Sequence, residues 1–211
     1  MWMVLRSPIR RMSAGLLFTA VVLAVGSTAC SSQDTEVPAA TPTDTAPSTG
    51  PNVKVPQGVT LTDAGATLEV GDKASAPVGK GARASVLSVT VSKVVKGSMK
   101  DFTSFVLSAK QRASTPYYVS ATVTNEGPGT MRQTDVPLFG FDSTDTAFPP
   151  TSLVGTFDRC AGGPLPAGFA PQDRVKPCLV YLVPPKATLQ AVQLRTSNQT
   201  EPISWPVGSP E

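Results

Sequence analysis

The chain has 211 residues, of which 40% are hydrophobic, 6% aromatic and 16% charged, with 21 prolines, 17 glycines and no histidine. The length allows one domain with its own core, and the missing histidine excludes Ser-His-Asp and Cys-His catalysis as well as histidine metal sites. The formal net charge is +3, but three of the cations, Arg6, Arg10 and Arg11, stand in a leader; without them the Lys+Arg count equals the 15 Asp+Glu, and bulk charge gives no support to nucleic-acid binding.

Residues 1–29 read as a lipoprotein signal peptide. Arg6, Arg10 and Arg11 precede an uncharged stretch, Ser13 to Ala29, whose apolar part from Ala14 to Val25 is about a dozen residues long, short of the roughly 20 that a membrane span needs. The small residues Ser27, Thr28 and Ala29 lead to Cys30. That pattern resembles a bacterial lipobox, in which the cysteine sulfur receives a diacylglyceryl group; it departs from it at Ser27, where leucine is usual. Plain secretion with cleavage at the same Ala29–Cys30 bond is the alternative. Cysteine counting favours lipidation: the chain has Cys30, Cys160 and Cys178, and acylating Cys30 removes the odd thiol from an exported protein. A protein held by acyl chains, each buried methylene contributing ~0.8 kcal/mol, is expected at the cell membrane on its extracytoplasmic face.

Residues 30–59 follow as a tether. Ser31 to about Val59 is rich in Pro, Thr, Ser and Ala and has no aromatic residue, so it buries too little apolar surface to offset ordering; its coil reach is roughly 30 Å.

Residues 60–211 are expected to form an immunoglobulin-like, all-β antiparallel sandwich. Leu87, Val89 and Val91 alternate with Ser88, Thr90 and Ser92, and Tyr117, Val119, Ala121 and Val123 alternate with Tyr118, Ser120, Thr122 and Thr124; period two marks strands with one buried face. Asn125-Glu126-Gly127-Pro128-Gly129 stops the second with turn chemistry. Further strands are expected at Ala66–Val70, Pro137–Asp142, Ala147–Val154, Arg174–Val183, Leu189–Thr196 and Ile203–Val207, giving a pattern of short strands without intervening helices. Within Lys100–Ala113, Phe102, Phe105, Val106 and Ala109 fall at helical spacing, so a short helix and a loop with buried aromatics both fit.

Three groups of residues are candidates for more than packing. Cys160 and Cys178 are expected to be bridged, as the pair left after Cys30 in an exported chain. Asp142 and Asp145, in "FDSTDTAF", offer two carboxylates for calcium or acid-base work, but without further acidic residues or the EF-hand glycine a hairpin whose Asp and Thr side chains satisfy backbone amides explains them better. Tyr117, Phe139, Tyr181 and Trp205 read as core or sheet-face residues, whereas Tyr118, on the opposite face from Tyr117, is the candidate for an exposed contact. No nucleophile elbow, phosphate loop or dinucleotide fingerprint occurs, so no cofactor is expected and no enzyme.

Two runs carry a resemblance. "VSATVTNEGPGTM", Val119 to Met131, and "CAGGPLPAGFAPQDRVKPCLVYLVPPKATLQAVQL", Cys160 to Leu194, resemble the immunoglobulin-like, telokin-like domains of unknown function in Gram-positive surface lipoproteins, with "LEVGDKA", Leu68 to Ala74, similar to their opening. The chain is also similar to the secreted immunoglobulin-like antigens of mycobacteria and relatives, which implies an actinobacterial envelope. The resemblance implies fold and location and brings no catalytic residues. The expected function is therefore a noncatalytic binding module that meets an envelope protein or polymer, through the end of the sandwich carrying Phe141–Phe148 and Cys160–Phe169. A structural or antigen-like envelope component and a hydrolase are the alternatives.

Overall fold

In the computed structural model the described residues are 53–208; the signal peptide, Cys30 and the tether up to residue 52 lie outside them. Among the described residues nine strands form two antiparallel sheets. In the first, β1 (Lys73–Val78) pairs with β2 (Ser85–Lys96), β2 with β3 (Thr115–Asn125), and the far edge of β3 takes both β6 (Arg174–Val175) and β7 (Cys178–Val183). In the second, the order is β5 (Ala147–Phe148), β4 (Leu138–Asp142), β8 (Leu189–Leu194) and β9 (Ile203–Pro206). The all-β sandwich expected from the sequence is the architecture observed.

The alternating positions read from the sequence fill the space between the sheets. Leu87, Val89 and Val91 of β2 and Tyr117, Val119, Ala121 and Val123 of β3 meet Leu138, Val192, Leu194, Ile203 and Trp205 from the other sheet. Register shifts between Val91 and Lys93. This bulge reverses the parity of β2, so that Val94 rather than Lys93 turns to the core. The Tyr181 hydroxyl crosses the core to donate to the Leu138 carbonyl at 3.0 Å, which satisfies a phenol that is fully buried; burial pushes its pKa well above the usual phenol value.

Several strand boundaries differ from expectation, each for a local reason. Ala66–Val70 is not a strand: Thr67 makes one bridge to Ser204, the chain turns at Asp63–Ala66 and Glu69–Asp72, and the pairing strand is Lys73–Val78 instead. Its inward residues include Ala74 and Ala76, too small to give a strong hydrophobic signal. The run Arg174–Val183 breaks at Pro177, which has no N–H to donate, and becomes β6 and β7. Expected to reach Val154, β5 ends at Phe148, before Pro149 and Pro150. Both readings of Lys100–Ala113 hold in part, since a 3₁₀ turn (Met99–Phe102) and a one-turn helix α1 (Ala109–Arg112) are joined by loop. Each starts with a serine capping box, Ser98 with Asp101 and Ser108 with Gln111.

Candidate functional site

The outer face of the first sheet, on the side of β3 away from the main core, is not a bare polar surface. A second apolar cluster lies there: Tyr118 of β3 and Val180 and Leu182 of β7 are covered by Phe102 and Leu107 from the β2–β3 connection and by Phe157 from the β5–β6 connection. Phe102 stacks on Phe157 with centroids 4.9 Å apart, Phe105 meets Phe157 edge-on at 5.5 Å, and Tyr118 lies 5.7 Å from it. Such aromatic pairs add to the area they bury.

Tyr118 therefore corrects the sequence expectation: it is 9% exposed, because both connections fold over it. Gly97 makes the close approach possible, since a Cβ there would lie 2.5 Å from Tyr118 Cζ. The phenol donates to Asp101 Oδ2 at 2.8 Å, whose carboxylate also accepts from the Ser98 amide at 3.2 Å and faces Arg159 Nε at 3.3 Å. The Tyr118 hydroxyl foremost, then the Ser98 amide and Arg159, hold the Asp101 carboxyl below its ordinary 3.8 against the opposing effect of burial. Burial, and then the charge it donates to, push the Tyr118 phenol well above its usual range.

A depressed carboxyl contributes stability that is present above 3.8 and lost as pH falls through the folded value. Tyr118→Phe is thus expected to move the Asp101 titration upward, and to flatten the loss of stability below about pH 4 relative to the parent. Carbon-detected NMR titration of Asp101 checks this; an unmoved titration would show that the phenol does not hold the carboxylate.

The disulfide Cys160–Cys178, with Cα atoms 5.0 Å apart, pins the β5–β6 connection to the start of β7. Alongside it the Cys178 amide donates to the Ala161 carbonyl at 3.2 Å and the Thr151 amide to the Val180 carbonyl at 2.7 Å, so residues 149–164 run down the outer edge of β7. Between them is a cavity of about 370 Å³ with Pro149, Phe157, Pro164 and the disulfide in its walls.

Three valines fringe this region without being covered. Val106, next to Phe105, and Val154 are 103% and 98% exposed, and Val95, the cross-strand partner of Tyr118, is 38% exposed. A Cβ at Gly155 would sit 3.9 Å from Phe105 Cε1, which places the loops bearing Val106 and Val154 side by side.

Asp142 and Asp145 share the β4–β5 turn. Asp142 is 1% exposed, and its Oδ1 accepts from the Thr144 amide at 2.8 Å, the Thr144 hydroxyl at 2.6 Å and the Thr146 amide at 3.2 Å. Burial alone would raise this carboxyl, but the bonds from Thr144 and Thr146 outweigh it and hold the pKa below 3.8. Asp145 stands exposed at the tip with φ 57°. No group of three or more Cys, Asp or Glu side chains that would hold a metal occurs among the described residues.

The turn also lies at the wrong end for the expected composite surface. Ser143 bonds to Thr188 in the β7–β8 connection, at the end of the sandwich where β3 begins. Leu165 and Phe169 instead bridge to Thr134 and Met131, near Asn125 where β3 finishes, and the Asn125 amide holds the Phe169 carbonyl at 3.0 Å. The segments Phe141–Phe148 and Cys160–Phe169 are not brought together. The outer aromatic cluster escaped sequence reasoning because Phe157 belongs to an irregular loop with no period; the helical spacing of Phe102 and Phe105 was the one signal toward it.

No family model matches the chain, and no curated protein matches it. Among solved structures it is similar to MPT63, a secreted protein from Mycobacterium tuberculosis, with 13% identity over 67% of this chain and 96% of that one, at a TM-score of 0.46. A likeness at that level transfers neither family nor function.

Proposed function

We propose that this chain is a lipoprotein of a bacterial, actinobacterial-type envelope, anchored on the extracytoplasmic face through acyl chains on Cys30, whose sandwich is a noncatalytic module for an envelope protein or polymer. The observation that carries the binding half is the outer face of the first sheet. An aromatic cluster beside a cavity, stapled by a disulfide, is fringed by Val106 and Val154, both exposed among the described residues, and exposed apolar side chains grouped beside a cavity support an interaction surface. Loops held in advance lose less entropy on association. A hydrolytic reading has little support: the chain has no histidine and the Asp142 carboxylate is committed to its own turn.

The experiment separates anchor from surface. Cys30→Ala is expected to move the protein from membrane to soluble or unprocessed fractions, with intact mass showing acylation only in the parent. In the anchored protein, Val106→Ser with Val154→Ser should reduce crosslinking to envelope components at least several-fold, while replacing Ser143–Thr146 should not. An unmodified Cys30 in mature membrane-extracted protein contradicts the anchor. Crosslinking unchanged by the valine pair contradicts the surface and favours the structural-component reading.

A further inference from the structure

At the end of the sandwich where β3 finishes, three arginines line one groove of about 270 Å³. They come from unrelated parts of the chain. Arg83 closes the 3₁₀ turn Gly81–Arg83 between β1 and β2, Arg132 lies in the β3–β4 connection, and Arg195 directly follows β8. All three are exposed, and none of them pairs with a carboxylate within 4.0 Å among the described residues, whose two ion pairs are Lys73–Glu126 and Arg159–Asp101.

The groove is partly organised in advance. Gln193 Oε1 accepts from Arg195 Nε at 2.9 Å and Nη2 at 2.8 Å, while its amide reaches the Ser204 hydroxyl at 3.3 Å. That fixes the guanidinium through its Nε–Nη2 edge, and its other N–H groups have no partner among the described residues. The Arg195 amide bonds the Pro137 carbonyl at 2.9 Å, and Asn198 holds the Gly79 carbonyl at 2.9 Å, so the three contributing loops are tied to one another. Thr134, Thr196 and Ser197 add polar lining, and Val78, Leu87, Met131 and Pro137 supply apolar wall. One carboxylate, Asp135, also lines it, which leaves an excess of two positive charges.

We infer that this groove binds a terminal phosphate monoester on a partly apolar body. Guanidinium groups present paired N–H donors that match phosphate oxygens, and three of them around one pocket suit a dianion better than a monocarboxylate. The arginines supply the charged donors, and the apolar wall receives the ester group. A soluble phosphate ester and a lipid phosphate headgroup share this chemistry.

The test uses the full chain with phenyl phosphate as probe, followed by amide NMR shifts and calorimetry, with benzyl alcohol as the uncharged comparison. Saturable binding is expected for phenyl phosphate and not for benzyl alcohol, centred on amides near Arg83, Arg132 and Arg195. Arg83→Gln with Arg132→Gln should weaken it about tenfold or more. Arg174→Gln, whose side chain bonds Thr124 outside the groove, should not, and Asp135→Asn should tighten it. Vesicles containing phosphatidic acid distinguish the sources: retention that phenyl phosphate competes away assigns a lipid headgroup, and phenyl phosphate binding without retention assigns a soluble ester. Absence of saturable binding in both arms, or binding indifferent to the paired arginine substitutions in a variant that melts like the parent, overturns the inference.

Discussion

Trp205→Ala is expected to destabilise the domain by about 3–5 kcal/mol, the range for emptying a large aromatic site in a core. Trp205 is fully buried in β9, which pairs with β8 in the register Trp205–Val192, and its partner is also fully buried. The indole spans from the second sheet toward the start of the first: its Nε1 donates to the Asp72 carbonyl at 3.2 Å, one residue before β1. Alanine would leave a cavity that neighbours in two sheets fill only in part, and would strip a donor from that carbonyl. The loss should spread, because the Leu68 amide donates to the Ser204 carbonyl and the Ser204 amide to the Ala66 carbonyl next door, so a loosened β9 also frees the segment leading into β1. Urea denaturation followed by far-UV circular dichroism measures it. Trp205→Phe, which refills most of the volume, should cost markedly less. A loss under about 1 kcal/mol for the alanine variant would mean that the site collapses around it and that the indole is not a keystone between the sheets.

The second large effect concerns Cys160→Ala with Cys178→Ala. The bridge closes a loop of sequence separation 18, for which constraint of the unfolded chain corresponds to about 3 kcal/mol. Its consequence for the native state should be local. Cys160 belongs to the outer cluster with Phe102, Tyr118 and Phe157 and to none of the packing between the sheets. The main core therefore predicts retention of the sandwich, with release of residues 149–164 from the edge of β7. Hydrogen exchange reads both parts at once: the Thr151 and Cys178 amides, bonded to Val180 and Ala161, should lose protection first, while Val89 and Val123, paired in the centre of the sheet, keep theirs. Protection lost evenly across both sheets would show that the staple supports the whole fold rather than this connection.

Much of the fold was legible because strand alternation is a local property. Tyr117, Val119, Ala121 and Val123 declare an inward face by their own spacing, and Asn125-Glu126-Gly127-Pro128-Gly129 ends the strand by its own chemistry. Where local chemistry was ambiguous, expectation slipped: Ala74 and Ala76 are too small to announce β1, and Pro177 divides a run that hydrophobicity alone reads as one strand. Cys160 and Cys178 were legible as a pair by cysteine count, a property of composition and compartment.

The placement of the surfaces was decided by tertiary structure. A period of two tells that a strand has two faces, but not whether the second one meets water; Tyr118 is buried because the β2–β3 and β5–β6 connections, distant in sequence, converge on it. Loops sort to one end or the other according to the direction in which each strand runs and the sheet it joins, which is why the turn of Asp142 and the segment around Phe169 finish at opposite ends. The meeting of Arg83, Arg132 and Arg195 has the same origin. No spacing among them marks a site, and they converge because β1–β2, β3–β4 and β8–β9 all turn at that end, where antiparallel pairing returns the chain each time. Sequence by itself determined the periodicities, turns and cysteine pair that specify a sandwich, since each is written in neighbouring residues or in composition; long-range strand pairing alone decided which side chains share a surface.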